Sequence, residues 1–124
     1  MGKFAVKKAA DGRLMFNLKA TNGQVIGTSQ PYASESALKS GIESVKKNSK
    51  SKVEDQTVEG YKALTNPKFE IFLDKGGKYR FHLKAMNGEI VVASQGYASK
   101  ASAKNGIESI AVNAVDAEIV YEEE

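Results

Sequence analysis

The chain has 124 residues, 41% of them hydrophobic and 27% charged, with 18 basic against 15 acidic side chains. That balance fits a globular domain carrying a modest solubilising charge of +3, and it sets aside the disordered, collagenous and membrane-spanning classes. With no cysteine there are no disulfides, thiolate nucleophiles or cysteine-type zinc sites.

One internal repeat governs the reading. Phe16 to Val45 aligns without a gap on Phe81 to Ile110 at an offset of 65, and 16 of the 30 pairs are identical, where chance would give roughly two. The same offset carries Phe4 onto Phe69. Residues 1–58 are therefore expected to form a first β-β-β-α-β repeat, 59–67 a linker and 68–124 a second repeat. The two together make one compact α+β domain, a single antiparallel sheet with two helices on one face.

The first strand of each repeat ends in a turn. Only a three-residue loop, Ala10–Gly12 and Lys75–Gly77, sets Val6 opposite Phe16 and Ile71 opposite Phe81, so that both apolar pairs face the core. Between the second and third strands stand Asn22-Gly23 and Asn87-Gly88, a dipeptide that favours a two-residue type I′ hairpin. Counting outward from that turn sets Ala20 opposite Val25, Leu18 opposite Gly27 and Phe16 opposite Ser29. Ser34 and Ser99 are expected to cap helices whose buried stripes are Leu38, Gly41, Ile42, Val45 and Ala103, Gly106, Ile107, Ile110. Asn48 and Asn113 are placed as left-handed helix ends. Short last strands follow near Val53–Val58 and Ala117–Tyr121, where the two copies slip by about one residue.

The run DGRLMFNLKATNGQVIGTSQPYASESALKSGIESV and its second copy resemble the YegP-like family of bacterial proteins over nearly the whole chain. The carrying pattern is F-x-L-K-A-x-N-G followed by Y-A-S and G-I-E-S, present twice at fixed spacing. The resemblance implies one continuous sheet in which the two units exchange their C-terminal strands, with single-unit members reaching the same arrangement by dimerising. It implies no cofactor and no catalytic residue. One departure is the end of the second helix, where Ala111-Val112 replaces Lys46-Lys47.

The chemistry-bearing residues reduce to a short set. His82 is the sole histidine, stands between Arg80 and Lys84 on the outward side of its strand, and has Asn17 as its counterpart, so it reads as a surface residue. Ser29 with Lys19, and Ser94 with Lys84, would suggest a serine nucleophile with a lysine base, but strand parity puts the partners on opposite faces. Tyr32 and Tyr97 precede the helices, where a phenol beside free amides could meet an anion or stack on a ring. Lys39 and Glu43 are spaced for an intrahelical pair, and the carboxylates Glu122-Glu123-Glu124 read as a solvated tail. No metal is assigned.

The face opposite the helices should gather Lys7, Asn17, Lys19, Ile26, Phe72, Arg80, His82, Lys84 and Val91. Cations mixed with apolar groups suit either a protein interface or single-stranded nucleic acid. The reading is a non-enzymatic binding or interaction module that uses this face or the Tyr32/Tyr97 corner. Weak nucleic-acid binding is the first alternative, and an enzyme with its site between the repeats the second. The chain is expected in the cytoplasm as a monomer with internal pseudo-twofold symmetry, without a membrane partner.

Overall fold

The structure, a computed structural model, describes residues 2–122; Glu123 and Glu124 of the expected acidic tail lie outside the described residues. Ten elements follow one another. In the first half they are β1 (Lys3–Lys8), β2 (Leu14–Lys19), β3 (Val25–Thr28), α1 (Glu35–Asn48) and β4 (Val53–Asp55). The second half repeats them as β5 (Lys68–Leu73), β6 (Tyr79–Lys84), β7 (Ile90–Ala93), α2 (Lys100–Asn113) and β8 (Glu118–Tyr121). Among the described residues no helix is long and apolar enough to cross a membrane.

All strands join one eight-stranded sheet in the order β4-β5-β6-β7-β3-β2-β1-β8. The last strand of each half thus lies against the first strand of the other, β4 beside β5 and β8 beside β1. Both of these pairings are parallel, so the sheet is mixed: antiparallel across its six inner strands and parallel at the two margins. The register shows the one-residue slip between the copies: Val53 pairs with Phe69 while Ile119 pairs with Phe4, so equivalent positions on the two margin strands stand 66 apart, not 65.

The core has a reason at each level. Alternation in β1, β2, β5 and β6 sends Phe4, Phe16, Phe69 and Phe81 to one face, where all four are fully buried. They meet edge to face, Phe4 on Phe16 with centroids 5.3 Å apart and Phe69 on Phe81 at 6.0 Å, the arrangement that ring quadrupoles favour. The expected helix stripes are buried in full. α1 packs on β2 and β7, and α2 on β6 and β3, so each helix crosses from one half to the other. At the seam Thr28 pairs with Ala93, and Gly27 abuts Val92 so closely that a methyl at Gly27 would run into the Val92 Cγ1. Two equivalent positions meet near the pseudo-twofold axis, and the pair fits because one of them has no side chain.

Ser34 and Ser99 cap their helices as expected, each hydroxyl accepting from a backbone amide three residues on at 3.1 Å. The first turn matches too: Gly12 N donates to Ala9 O, Ala9 N to Arg13 O, and Val6 stands opposite Phe16.

The second turn differs from its expectation. Gly23 N donates to Ala20 O, Ala20 N donates to Gln24 O, and only Gly23 has positive φ, at 84°. This is another three-residue loop, with the left-handed position filled by glycine alone. The extra residue shifts the register between Leu18 and Lys19, so that Val25 falls opposite Lys19. Leu18 still faces Gly27, but Val25 and Ile90 turn outward at 37% exposure, and Ile26 and Val91 enter the core at 7% and 4%. Ile26 and Val91 therefore do not belong to the open face. A bulge inverts parity locally, and the dipeptide alone does not announce it.

Two smaller expectations change as well. Asn48 and Asn113 are right-handed last residues of their helices, and their amides donate back to the Ser44 and Ser109 carbonyls at 2.9 and 2.8 Å. Lys39 pairs with Glu35 at 3.7 Å instead of Glu43.

Candidate binding clefts

Three of the expected open-face cations stand beside carboxylates. Lys19 meets Glu122 at 3.2 Å, Arg80 meets Asp74 at 2.6 Å, and Lys84 meets Glu70 at 3.4 Å. His82 lies against Phe72, with centroids 4.7 Å apart. Burial holds its imidazole below the ordinary value, Lys84 and Arg80 push the same way and Glu70 opposes them.

Beside these residues lies a network that the sequence did not suggest. Lys68, itself buried, is 2.7 Å from Glu54 and 3.4 Å from Glu70, while Gln56 donates to both carboxylates at 2.6 and 3.1 Å. The segment 59–67 closes over it: Leu64 N donates to Glu54 at 2.7 Å and Leu64 O accepts from Lys68 at 3.1 Å. Burial alone would raise the Glu54 carboxyl, but bonds from Gln56, Lys68 and Leu64 outweigh it and bring the value down to about 2. In the other half the equivalent positions on β8 and β1 are Val120 and Ala5, so this charge network is not duplicated.

The serines set aside on parity are occupied. Ser29 Oγ accepts from Phe16 N at 2.9 Å and donates to Gln30 O at 2.8 Å, and Ser94 does the same with Phe81 and Gln95.

The tyrosines occupy equivalent places in the two halves. Each is pinned by a pair of backbone bonds, Tyr32 to Leu14 and Tyr97 to Tyr79. Each ring stacks on a core phenylalanine, Tyr32 on Phe16 at 6.4 Å and Tyr97 on Phe81 at 6.2 Å. Each hydroxyl reaches a helix glycine: a methyl at Gly41 would strike the Tyr32 oxygen, and one at Gly106 would lie 2.7 Å from the Tyr97 oxygen. The stripe glycines therefore make room for phenols. Over each tyrosine opens a cleft, of about 400 Å³ at Tyr32 and about 230 Å³ at Tyr97.

Both clefts are composite. The first has Gln30, Tyr32, Ala37, Ser40, Gly41 and Ser44 on one side and Ala85, Asn87, Glu89 and Val91 of the other half facing them. The second uses the equivalent ten positions: Gln95, Tyr97, Ser102, Asn105, Gly106 and Ser109 against Ala20, Asn22, Gln24 and Ile26, with Val25 added. Six of the ten are identical between the copies. The Asn-Gly turns, explained above by backbone geometry alone, thus also supply a cleft wall. The clefts run along the helices from their first turns, at Ala37 and Ser102, whose amides already donate to the capping hydroxyls of Ser34 and Ser99. The Tyr32 hydroxyl is buried without a hydrogen-bond partner. Burial raises its pKa, the Gln30 side chain eases it slightly, and Glu89 raises it further.

Sequence reasoning found Tyr32 and Tyr97 but missed their neighbours across the cleft, because those come from the opposite half and meet them only through the interleaved packing. The clearest signal was the identity of Gln30 with Gln95, since Asn22 and Asn87 already serve their turns and Ser44 and Ser109 already accept from Asn48 and Asn113.

Fold and clefts together define a duplicated β3-α-β protein with exchanged edge strands and paired inter-repeat clefts. The family model described as Domain of unknown function (DUF1508) matches residues 9–55 and again 74–120. A UPF0339 protein of Pseudomonas aeruginosa is 42% identical over 108 residues, 87% of this chain and 86% of that protein. The solution NMR structure of yegP from E. coli superimposes with a TM-score of 0.79 at 33% identity, covering 98% of this chain and 92% of that one. A UPF0339 protein of Methanosarcina acetivorans is 53% identical over 53 residues, which is 43% of this chain but 91% of that protein, the length of a single repeat. The chain belongs to the DUF1508 family, the YegP-like UPF0339 proteins, in its two-repeat form.

Proposed function

We propose that the chain is a small non-enzymatic binding module whose recognition surfaces are the twin clefts over Tyr32 and Tyr97. The observation that carries this reading is the correspondence of ten lining positions in two clefts, each closed by groups from both halves. Their walls supply amides and hydroxyls over an apolar floor, the mixture that orients a small ligand by hydrogen bonds. The chain's proposed location is the cytoplasm, and its working form is proposed to be a monomer, supported by the exchange within one chain that completes both halves. Elution at the monomer mass would agree with this.

Single-stranded nucleic acid on the open face is the second reading, supported by the Phe72–His82 stack. It must contend with carboxylates already seated on Lys19, Arg80 and Lys84. Amide chemical-shift titration of the labelled full chain separates the two, with N-methylacetamide and a ten-nucleotide oligothymidylate as probes at low and physiological salt. The expected result is N-methylacetamide shifts confined to the two clefts. Silent clefts, or salt-sensitive oligothymidylate shifts along Lys19, Phe72, His82 and Lys84, would overturn the proposal.

A further inference from the structure

The two clefts are not chemically equal. Four of their ten paired positions differ, and only one difference changes charge: Glu89 at the Tyr32 cleft stands where Gln24 stands at the Tyr97 cleft. Building on the twin-cleft reading, we propose that the Tyr32 cleft takes a peptide-like ligand with a cationic side chain, its ammonium meeting Glu89, while the Tyr97 cleft takes the uncharged counterpart.

Three features support this division. Glu89 is exposed, makes no ion pair among the described residues, as is true of Glu43, Glu59, Glu108, Asp116 and Glu118, and is the one carboxylate among the residues that line the Tyr32 cleft. Its backbone is fixed, because Glu89 N donates to Asn87 Oδ1 at 3.0 Å, so an ordered turn presents the carboxylate at the cleft mouth. In the second cleft the corresponding Gln24 is neutral, and its side-chain oxygen already accepts from Asn22 at 3.4 Å.

The second group on the ligand follows from Tyr32. Its hydroxyl is buried and meets hydrogen-bond geometry with no group, the Gln30 side chain being its nearest polar influence, a state that costs free energy until a better acceptor arrives. The neighbouring carboxylate and burial both keep the phenol protonated, so it offers a proton to an oxygen. A ligand that brings a carbonyl for Tyr32 and a cation for Glu89 satisfies both at once, and a lysine-like residue carries both on one short frame. A volume of about 400 Å³ admits a ligand of that size. The smaller Tyr97 cleft, about 230 Å³ with Asn105 and Ser102 where the first has Ser40 and Ala37, keeps amide and hydroxyl partners but no charge.

The experiment titrates the labelled full chain at low salt with Nα-acetyl-lysine methylamide and, separately, with Nα-acetyl-norleucine methylamide, which keeps the aliphatic stem and lacks the ammonium. An exposed ion pair is worth a factor of about three in affinity. The lysine probe should therefore bind the Tyr32 cleft about threefold more tightly than the norleucine probe, while the Tyr97 cleft does not discriminate. Glu89→Gln should erase the preference, and Gln24→Glu should create one at the Tyr97 cleft; both positions are exposed turn residues outside the core. Equal affinity of the two probes at the Tyr32 cleft, or a preference that survives Glu89→Gln, overturns the charge assignment while leaving the clefts as binding sites. Silence of both probes at both clefts overturns the twin-cleft reading itself.

Discussion

Replacing Glu54 by glutamine tests how far a charge network at the sheet margin holds the linker and the exchanged strand β4 in place. Glu54 is 3% exposed and accepts from Gln56, Lys68 and the Leu64 amide. Its carboxyl falls from an ordinary 4.5 to about 2, and a shift of that size converts at face value to roughly 3 kcal/mol. Water at the outermost strand screens part of this, which leaves about 1–2 kcal/mol. The sign is that of a depressed acid: the contribution is present above pH 4.5 and fades as pH falls toward 2. Urea unfolding of the native chain and of Glu54→Gln at pH 7 and near pH 2 should show a midpoint gap of about 0.5–1 M that narrows strongly with acid. No gap at neutral pH, or one that persists unchanged in acid, would refute the reasoning.

Further substitutions probe packing and buried hydrogen bonding. Gly27→Ala should cost about 1–3 kcal/mol by overpacking, and Val92→Ala in the same chain should return much of it, since the obstructing atom is the Val92 Cγ1; a thermal-unfolding double-mutant cycle reads the coupling. Gly41→Ala should destabilise by a similar ~1–3 kcal/mol against the Tyr32 phenol, visible as a lower urea midpoint. Tyr32→Phe removes a buried hydroxyl that makes no geometric hydrogen bond and should be neutral or stabilising by up to about 1 kcal/mol, whereas Ser29→Ala breaks one buried and one part-buried bond and should cost about 1–3 kcal/mol. Equal losses in these last two variants would contradict the hydrogen-bond assignment.

Local pattern was legible wherever one residue class does one job. Strand alternation located the four core phenylalanines, helical spacing located Leu38 through Val45 and Ala103 through Ile110, and Ser34 and Ser99 marked the helix starts. What failed was the residue with two readings: Asn22-Gly23 supports a two-residue turn or the tail of a three-residue one, and the difference inverts Val25 and Ile26. Long-range pairing was out of reach of the residues themselves. Val53 and Ile119 look alike whether their strands return to their own unit or cross to the other, and only the family resemblance pointed to exchange. The carboxylate partners of the open-face cations were not legible either, Glu122 because it lies far along the chain from Lys19 and Glu70 because its pairing with Lys84 depends on strand register.

The interleaved packing bears directly on the clefts. Each helix lies across strands of both halves, and each cleft sets a tyrosine and helix of one repeat against the hairpin of the other. A relative the length of one repeat would need a second copy to build such a cleft, and two identical copies would build identical clefts. Fusion in one chain lifts that constraint. Gly27 can be small because Val92 is large, Lys68 can be buried among carboxylates with no matching network at Lys3, and Glu89 can carry charge where Gln24 does not. The residues kept in common, Gln30/Gln95, Tyr32/Tyr97, Asn22/Asn87 and Ser44/Ser109, surround the same spaces, while the one change of charge lies at their rim. A shared mode of binding with divided selectivity is what that distribution of sameness and difference supports.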